Sequence, residues 1–401
     1  HECRAAKLKS MIATGRLLTD ERGMILFTSL LILSLLMAIG LGSVVSVQNE
    51  FRIAQNLRNG TSALYFAEAG IEWSKEQIGT ATGNPPALVD ATRNFSSGNF
   101  FVSVISSTRV SPLSAQVVFR STGNLGNSSQ TVQVQVTKIY DLADGALALR
   151  GNSRGINLAS NSFYISGLDH DPVSGAAIPD AKPRSGITVA TSALLGQVEN
   201  GLNDFQRGRI LGSDNNGAAI SRNERIPGDA LVRFANDLCT APNTQTSAMP
   251  PSGTLSLANQ IWGNRAAPQL HCINGIAESG DSVVTGENFT GAGILVVRDA
   301  ELVASGVFRW EGLIVVTGSD VGFRVVGEEN KEIIGALMIN EAGAAIGVGP
   351  AILDIQGAVR VLHSRSALGT AASLVQTPTL ANAYDWLPFY LKQDYWRSLN
   401  L

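Results

Sequence analysis

The sequence predicts an α+β protein: a long N-terminal transmembrane α-helix, a short antiparallel β-sheet, then a mostly-β domain wound as a right-handed parallel β-helix with an insertion. Three observations carry this. Met24 to Val47 is a run of twenty-four residues without a charge. Strand-like runs with polar turns between them occupy 100–139, and apolar runs headed by glycine recur about every twenty residues between 293 and 361.

Residues 1–23 form a polar leader with five basic residues, and few basic residues follow the apolar run closely. The positive-inside rule therefore keeps the leader cytoplasmic and exports everything after Val47. The sequence starts at His1, and Met11 is the expected initiator. An uncharged run of this length crosses a bilayer of about 30 Å as a helix. A cleaved secretory signal has a shorter apolar region and an A-x-A-like site, and neither is present. From Gln48 to Ile78 there is no proline, and Leu57, Leu64, Ala67, Ile71 and Ile78 recur at helical spacing, so the helix is expected to run over 24–78 with one apolar stripe seeking a partner.

These residues carry a resemblance. The junction Glu21-Arg22-Gly23-Met24, the uncharged helix, Ala54-x-Asn56-x-Arg58 and Ala67-Glu68-Ala69-Gly70-x-Glu72 occur in that order. Together they resemble the N-terminal region of PilX-type minor pilins of type IV pili, over about residues 20–75. The resemblance implies cleavage by a prepilin peptidase between Gly23 and Met24, a helix held in the inner membrane before assembly, and a pilus afterwards. It implies other minor and major pilins and a PilY-type tip adhesin as partners, and a non-enzymatic role in starting pilus assembly at or near the tip, in support of adhesion or twitching motility. Thr28 departs from the family: major pilins carry a glutamate there, which neutralises a neighbour's terminal amine, and a tip subunit has no neighbour ahead of it. A minor pseudopilin of type II secretion and a membrane-anchored β-helical surface or glycan-binding protein are the alternatives.

After the helix, Gly79 to Pro86 is a breaker. Phe100–Ser106, Ala115–Ser121 and Gln130–Ile139 follow as an expected antiparallel meander within 79–143, the last alternating through Val132, Val134 and Val136. A β-helix-like domain is expected over 144–170 and 281–383. In it Gly293, Gly312, Gly335 and Gly357 each head an apolar run, at offsets of 19, 23 and 22 residues. A period of that size with several short strands suits one coil of a solenoid, whose inward side chains are buried by the coils above and below. Residues 171–280, rich in proline, read as an irregular insertion with a short helix near Gly228 to Cys239. Residues 384–401 read as an aromatic C-terminal cap, with Trp386, Phe389, Tyr390, Tyr395 and Trp396 as a second-choice interaction surface.

Cys3 lies in the leader, which leaves Cys239 and Cys272 as an even pair in an oxidising compartment and a disulfide candidate. Chemistry is thinly supported. Gly151-x-Ser153-x-Gly155 matches a nucleophile elbow, but another short strand rather than a helix is expected after it. Asp169-His170-Asp171 precedes a proline and reads as a side-chain turn rather than a metal site. No cofactor motif is present. The net charge of −3 and the lack of a long basic run argue against nucleic-acid binding.

Overall fold

The computed structural model describes residues 21–151, 155–213, 217–276, 282–343 and 351–399. Helix α1 (Glu21–Thr80) is continuous over 60 residues, about 90 Å at 1.5 Å per residue. Against its second half lies an antiparallel meander, β1 (Ala91–Asn94), β2 (Asn99–Ser111), β3 (Ser114–Leu125) and β4 (Ser128–Tyr140). The strands alternate as expected of a sheet with one covered face: Val117 and Phe119 of β3 and Val132, Val134 and Val136 of β4 pack on Ala67, Ile71 and Ile78 of the helix. Leu57, expected in the same stripe, is 68% exposed, because the sheet reaches only to the level of Gly60 and Ala63.

The chain then winds through β5 (Gly145–Gly151), β6 (Ile156–Asn157), β7 (Phe163–Ser166), β8 (Ser185–Val189), helices α2 (Ser192–Asn200) and α3 (Asp204–Arg207), β9 (Ile210–Leu211) and β10 (Ile220–Arg222). Helix α4 (Gly228–Thr240) leads to β11 (Gln245–Ala248), β12 (Thr254–Ser256), β13 (Ile261–Trp262), β14 (Gln269–Asn274), β15 (Val283–Arg298), β16 (Glu301–Gly318), β17 (Gly322–Val325), β18 (Lys331–Glu341), β19 (Leu353–Ile355) and β20 (Val359–His363). All of these strands pair in parallel, in three ladders that curl around one core. The first ladder runs β11-β14-β15-β16-β18-β5-β8-β10, the second β12-β15-β16-β17-β19-β6, and the third β13-β15-β16-β18-β20-β7-β9. Successive coils therefore lie on one another, as the twenty-residue period requires.

The order of stacking differs from the order of the chain. Strand β18 pairs with β5, Leu337 opposite Leu147, so the late coils sit directly on the early ones. The chain enters the stack in its middle, winds to one end at β10, crosses outside the coils through α4, and winds back from the other end. Residues 171–280, expected as an irregular insertion, thus supply β8 to β14 of the ladders themselves. The prolines of that stretch fall between the strands, where they remove no ladder hydrogen bond.

First-ladder strands are apolar on both faces because both faces are covered. Leu295 and Val297 point into the solenoid core, whereas Ile294 and Val296 meet a second core formed with α4, α5 (Arg365–Ala372) and α6 (Thr377–Ala383). Gly293, Gly312 and Gly335 stack in register at the corner leading into this ladder, with φ of +124°, +127° and +141°. A Cβ on Gly312 would stand 2.1 Å from the Gly293 carbonyl oxygen. Gly357, expected as the fourth member, lies elsewhere: its run enters β20 on the third ladder, pairing with the start of β18.

The last strand, β21 (Phe389–Ser398), pairs antiparallel with β4 and completes the five-stranded sheet. The expected aromatic cap of the solenoid is therefore an edge strand of the other domain. The solenoid's end beyond β8 is closed instead by α2, through Leu194 and Val198.

Candidate functional site

The first half of α1 is a free apolar rod. Met24 is 60% exposed, Leu30 64% and Val47 63%, and the run stays exposed along its whole length among the described residues. It is the one helix among the described residues long and apolar enough to cross a membrane. Gly23 and Met24 lie within its first turn. Gly40 and Gly42 each cost up to about 1 kcal/mol against alanine without breaking the helix. Thr28 donates its hydroxyl to the carbonyls of Met24 at 2.9 Å and Ile25 at 3.0 Å. The polar atom at this position is thus spent inside the helix, and the position offers no charge to a neighbour.

In the second half, contact accounts for the spacing Ala67-Glu68-Ala69-Gly70-x-Glu72, whereas Ala54, Asn56 and Arg58 stay exposed. Gly70 faces the sheet so closely that a Cβ would stand 2.1 Å from Ser121 Oγ, and one on Gly123 of β3 would stand 2.1 Å from the Ala63 carbonyl. Small residues at 63, 67, 70 and 123 let helix and sheet approach, while Glu72 turns outward to Lys75 at 2.6 Å. At the far end α1 has no basic residue in its last turn. Lys138 of β4 supplies one: buried at the sheet, its Nζ donates to the carbonyls of Ile78 at 2.9 Å and Ala81 at 2.7 Å, a favourable place for a cation. Burial, with Arg225 nearby, lowers its pKa to about 8. Lys138 continues the inward alternation of Val132, Val134 and Val136, so period two alone would have placed it on the buried face.

The C-terminal aromatics are mostly consumed by the seam between the domains. Phe389 lies under Lys138 Nζ at 4.3 Å and under Arg225 at 4.6 Å. Tyr390 faces Arg365 and Arg184, Trp386 meets Phe234 edge-on at 5.6 Å, and Gln133 Nε2 donates to the Tyr395 hydroxyl at 2.9 Å. Trp396, at 44%, stays exposed. Beneath the seam Asp141 pairs with Arg184 and Arg365.

Cys239 at the end of α4 and Cys272 of β14 are joined in a disulfide, which ties the returning helix to the coils it passes. Asp171 accepts from the backbone N–H of Val173 and Ser174 and from Ser174 Oγ, a side-chain turn. Asp169 accepts from the backbone N–H of Arg365 at 2.8 Å and faces its guanidinium. His170 Nδ1 lies 2.7 Å from the Leu168 carbonyl. No cluster of three metal-ligating side chains occurs among the described residues. Gly151 ends β5, and Ser153 lies outside the described residues.

No family model matches the chain, and no curated protein matches it. Among solved structures, the competence-associated pilin ComZ from Thermus thermophilus aligns at 11% identity over 85% of this chain and 97% of that one, with a TM-score of 0.24. A score that low adds nothing to the geometry.

Proposed function

We propose that this chain is a minor pilin of a type IV pilus, a non-enzymatic subunit that helps initiate assembly and sits at or near the tip, in support of adhesion or motility. One observation carries the reading: an unbroken helix that runs through the Arg22-Gly23 junction, its first half apolar and without a partner among the described residues, while its second half is sealed onto an antiparallel sheet. Exposed apolar surface of this extent needs a solvent of its own kind, first the inner membrane and then neighbouring pilin helices.

On this reading prepilin peptidase cuts between Gly23 and Met24, and Met24 to Val47 packs among the helices of minor and major pilins. Thr28, its hydroxyl already bonded within the helix, suits a subunit with nothing ahead of it to neutralise. The solenoid beside the sheet is too bulky for a regular shaft and is available to a PilY-type adhesin. A glycan-binding face needs aromatic side chains exposed along the coils, whereas Phe308 and Trp310 lie inside them.

The test is a mass measurement of the full chain expressed with and without a prepilin peptidase, in wild type and Gly23→Ala. The expected result is loss of the leader only when peptidase and Gly23 are both present. An unprocessed wild-type chain in the presence of active peptidase would remove the pilin reading.

A further inference from the structure

The two ends of the parallel stack are finished differently. At one end α2 lies over the coil interior, with Leu194 and Val198 fully buried among Leu149 and Ile187. The terminal strand there, β10, carries Arg222, paired with Glu224 at 3.3 Å. At the other end, among the described residues, no helix crosses the coil made by β11, β12 and β13. Met249, Leu255 and Trp262 pack on the core but remain partly exposed, and Ile261 is 77% exposed. From Thr240 to Asn264 the chain has no charged residue. An edge strand offers a row of unpaired N–H and C=O groups, and proteins guard such rows with charges, proline or a covering element. The β10 end is guarded in this way; along β11 itself, among the described residues, no charge, proline or covering element lies on the edge.

The direction of the free groups can be read from the ladder. Strand β11 pairs with β14 on one side and ends the path on the other. The Met249 N–H donates to the Asn274 carbonyl at 3.1 Å, toward β14. Along a strand, the backbone groups of successive residues point to opposite edges. Gln245, Ser247 and Met249 therefore face β14, while Thr246 and Ala248 direct N–H and C=O outward. The side chains alternate as well: Ser247 lies over Ile273 of the core, and Thr246 lies over Cys272 on the outer face.

We propose that β11 accepts an extended, uncharged segment of another polypeptide as an added strand. Its backbone would pair with Thr246 and Ala248, and its alternate apolar side chains would cover the layer of Met249 and Leu255. Two features restrict the occupant to a single strand. Strands β12 and β13 are only three and two residues long, and the corner at Pro250-Pro251 has no N–H to offer. A second copy of this chain fits poorly, because a two-fold partner would set β12 against β13, three residues against two. The inference stands on the solenoid alone and does not depend on the role of α1.

The probe is a fluorescein-labelled eight-residue peptide of alternating valine and threonine, titrated against the full chain in detergent and followed by anisotropy. Wild type is expected to bind it saturably. Thr246→Pro removes an outward N–H and leaves the bonds to β14 intact, and Thr246→Lys places a guarding charge on the edge. Each should weaken binding at least about ten-fold, while the Cys239–Cys272 disulfide still forms as a check on folding. Absence of saturable binding by wild type, or binding by both variants as tight as that of wild type, overturns the proposal. So does sedimentation showing a wild-type dimer that Thr246→Pro dissociates, since the edge would then belong to a second copy.

Discussion

The two sheets of this molecule bury apolar residues by opposite rules. In the five-stranded sheet one face lies on α1 and the other meets solvent, so β3 alternates between covered and open positions along its length. In the first ladder of the solenoid every residue of β18 is buried, because its inner face fills the coil and its outer face lies under α4, α5 and α6. An antiparallel sheet with a free face can have its strands exchanged residue by residue on the open side, whereas a doubly covered parallel ladder tolerates little anywhere. The difference also decides what holds each together: a single helix seam for the first, and mutual stacking of coils for the second.

The strongest way to break the comparison is at the corner glycines. Gly312→Val forces a β-branched residue to φ of +127° with its Cβ 2.1 Å from the Gly293 carbonyl oxygen. The backbone of two coils must part, and the expected cost exceeds about 4 kcal/mol, in the range that abolishes folding of a coil stack. Limited proteolysis should then cut the solenoid while the region of β1 to β4 on α1 stays resistant. Equal sensitivity of both regions would show that they fold as one unit.

The period and its glycines are legible in the sequence, and so are the alternation of β4, the helix of 228–239 and the apolar N-terminal helix. What the sequence concealed was order. A repeat of about twenty residues states the circumference of a coil and says nothing of which coil lies on which, so the junction of β18 with β5 left no local mark. For the same reason Gly357 looked like Gly335 while serving a different ladder: an identical glycine-apolar pattern marks any corner. The stretch 171–280 reads as irregular because its proline-rich connections are long and its strands only two to six residues, too short for periodicity. Trp386, Phe389 and Tyr390 form an aromatic run whose destination depends on contacts far away in the chain.

A smaller effect follows from the disulfide. It closes a separation of 33 residues between the end of α4 and β14, a constraint worth about 3–4 kcal/mol in the chain-entropy model. Cys239→Ser with Cys272→Ser should lower the unfolding midpoint of the solenoid by several degrees and loosen the first coils. The helix–sheet region, which contains neither cysteine, should melt where it did before. Differential scanning calorimetry separates the two outcomes, and a parallel shift of both transitions would tie the domains together energetically.

The smallest and most discriminating effect is in pH, because the two regions hold their perturbed groups on opposite sides of neutrality. In the solenoid, burial lowers His271, stacked on Trp262 at 4.0 Å, to about 4. His363 is likewise lowered to about 4 by burial, against the opposing pull of Asp141. Between about 6.5 and 4 the unfolded chain takes up protons that the folded one refuses, so solenoid stability falls as pH drops through that window. At the helix–sheet seam Lys138 is lowered to about 8, and between about 8 and 10.5 it is again the unfolded chain that binds the extra proton, so this group's contribution improves as pH rises. Lys138→Met should flatten the alkaline branch and leave the acid branch untouched. It should also cost about 1–3 kcal/mol by leaving the carbonyls of Ile78 and Ala81 unpaired. Tryptophan fluorescence reads both regions in one titration, with Trp262 and Trp310 in the coils and Trp73 on α1. An acid transition that moves in the Lys138→Met protein would mean that the seam, rather than the buried histidines, sets the stability of the coil stack.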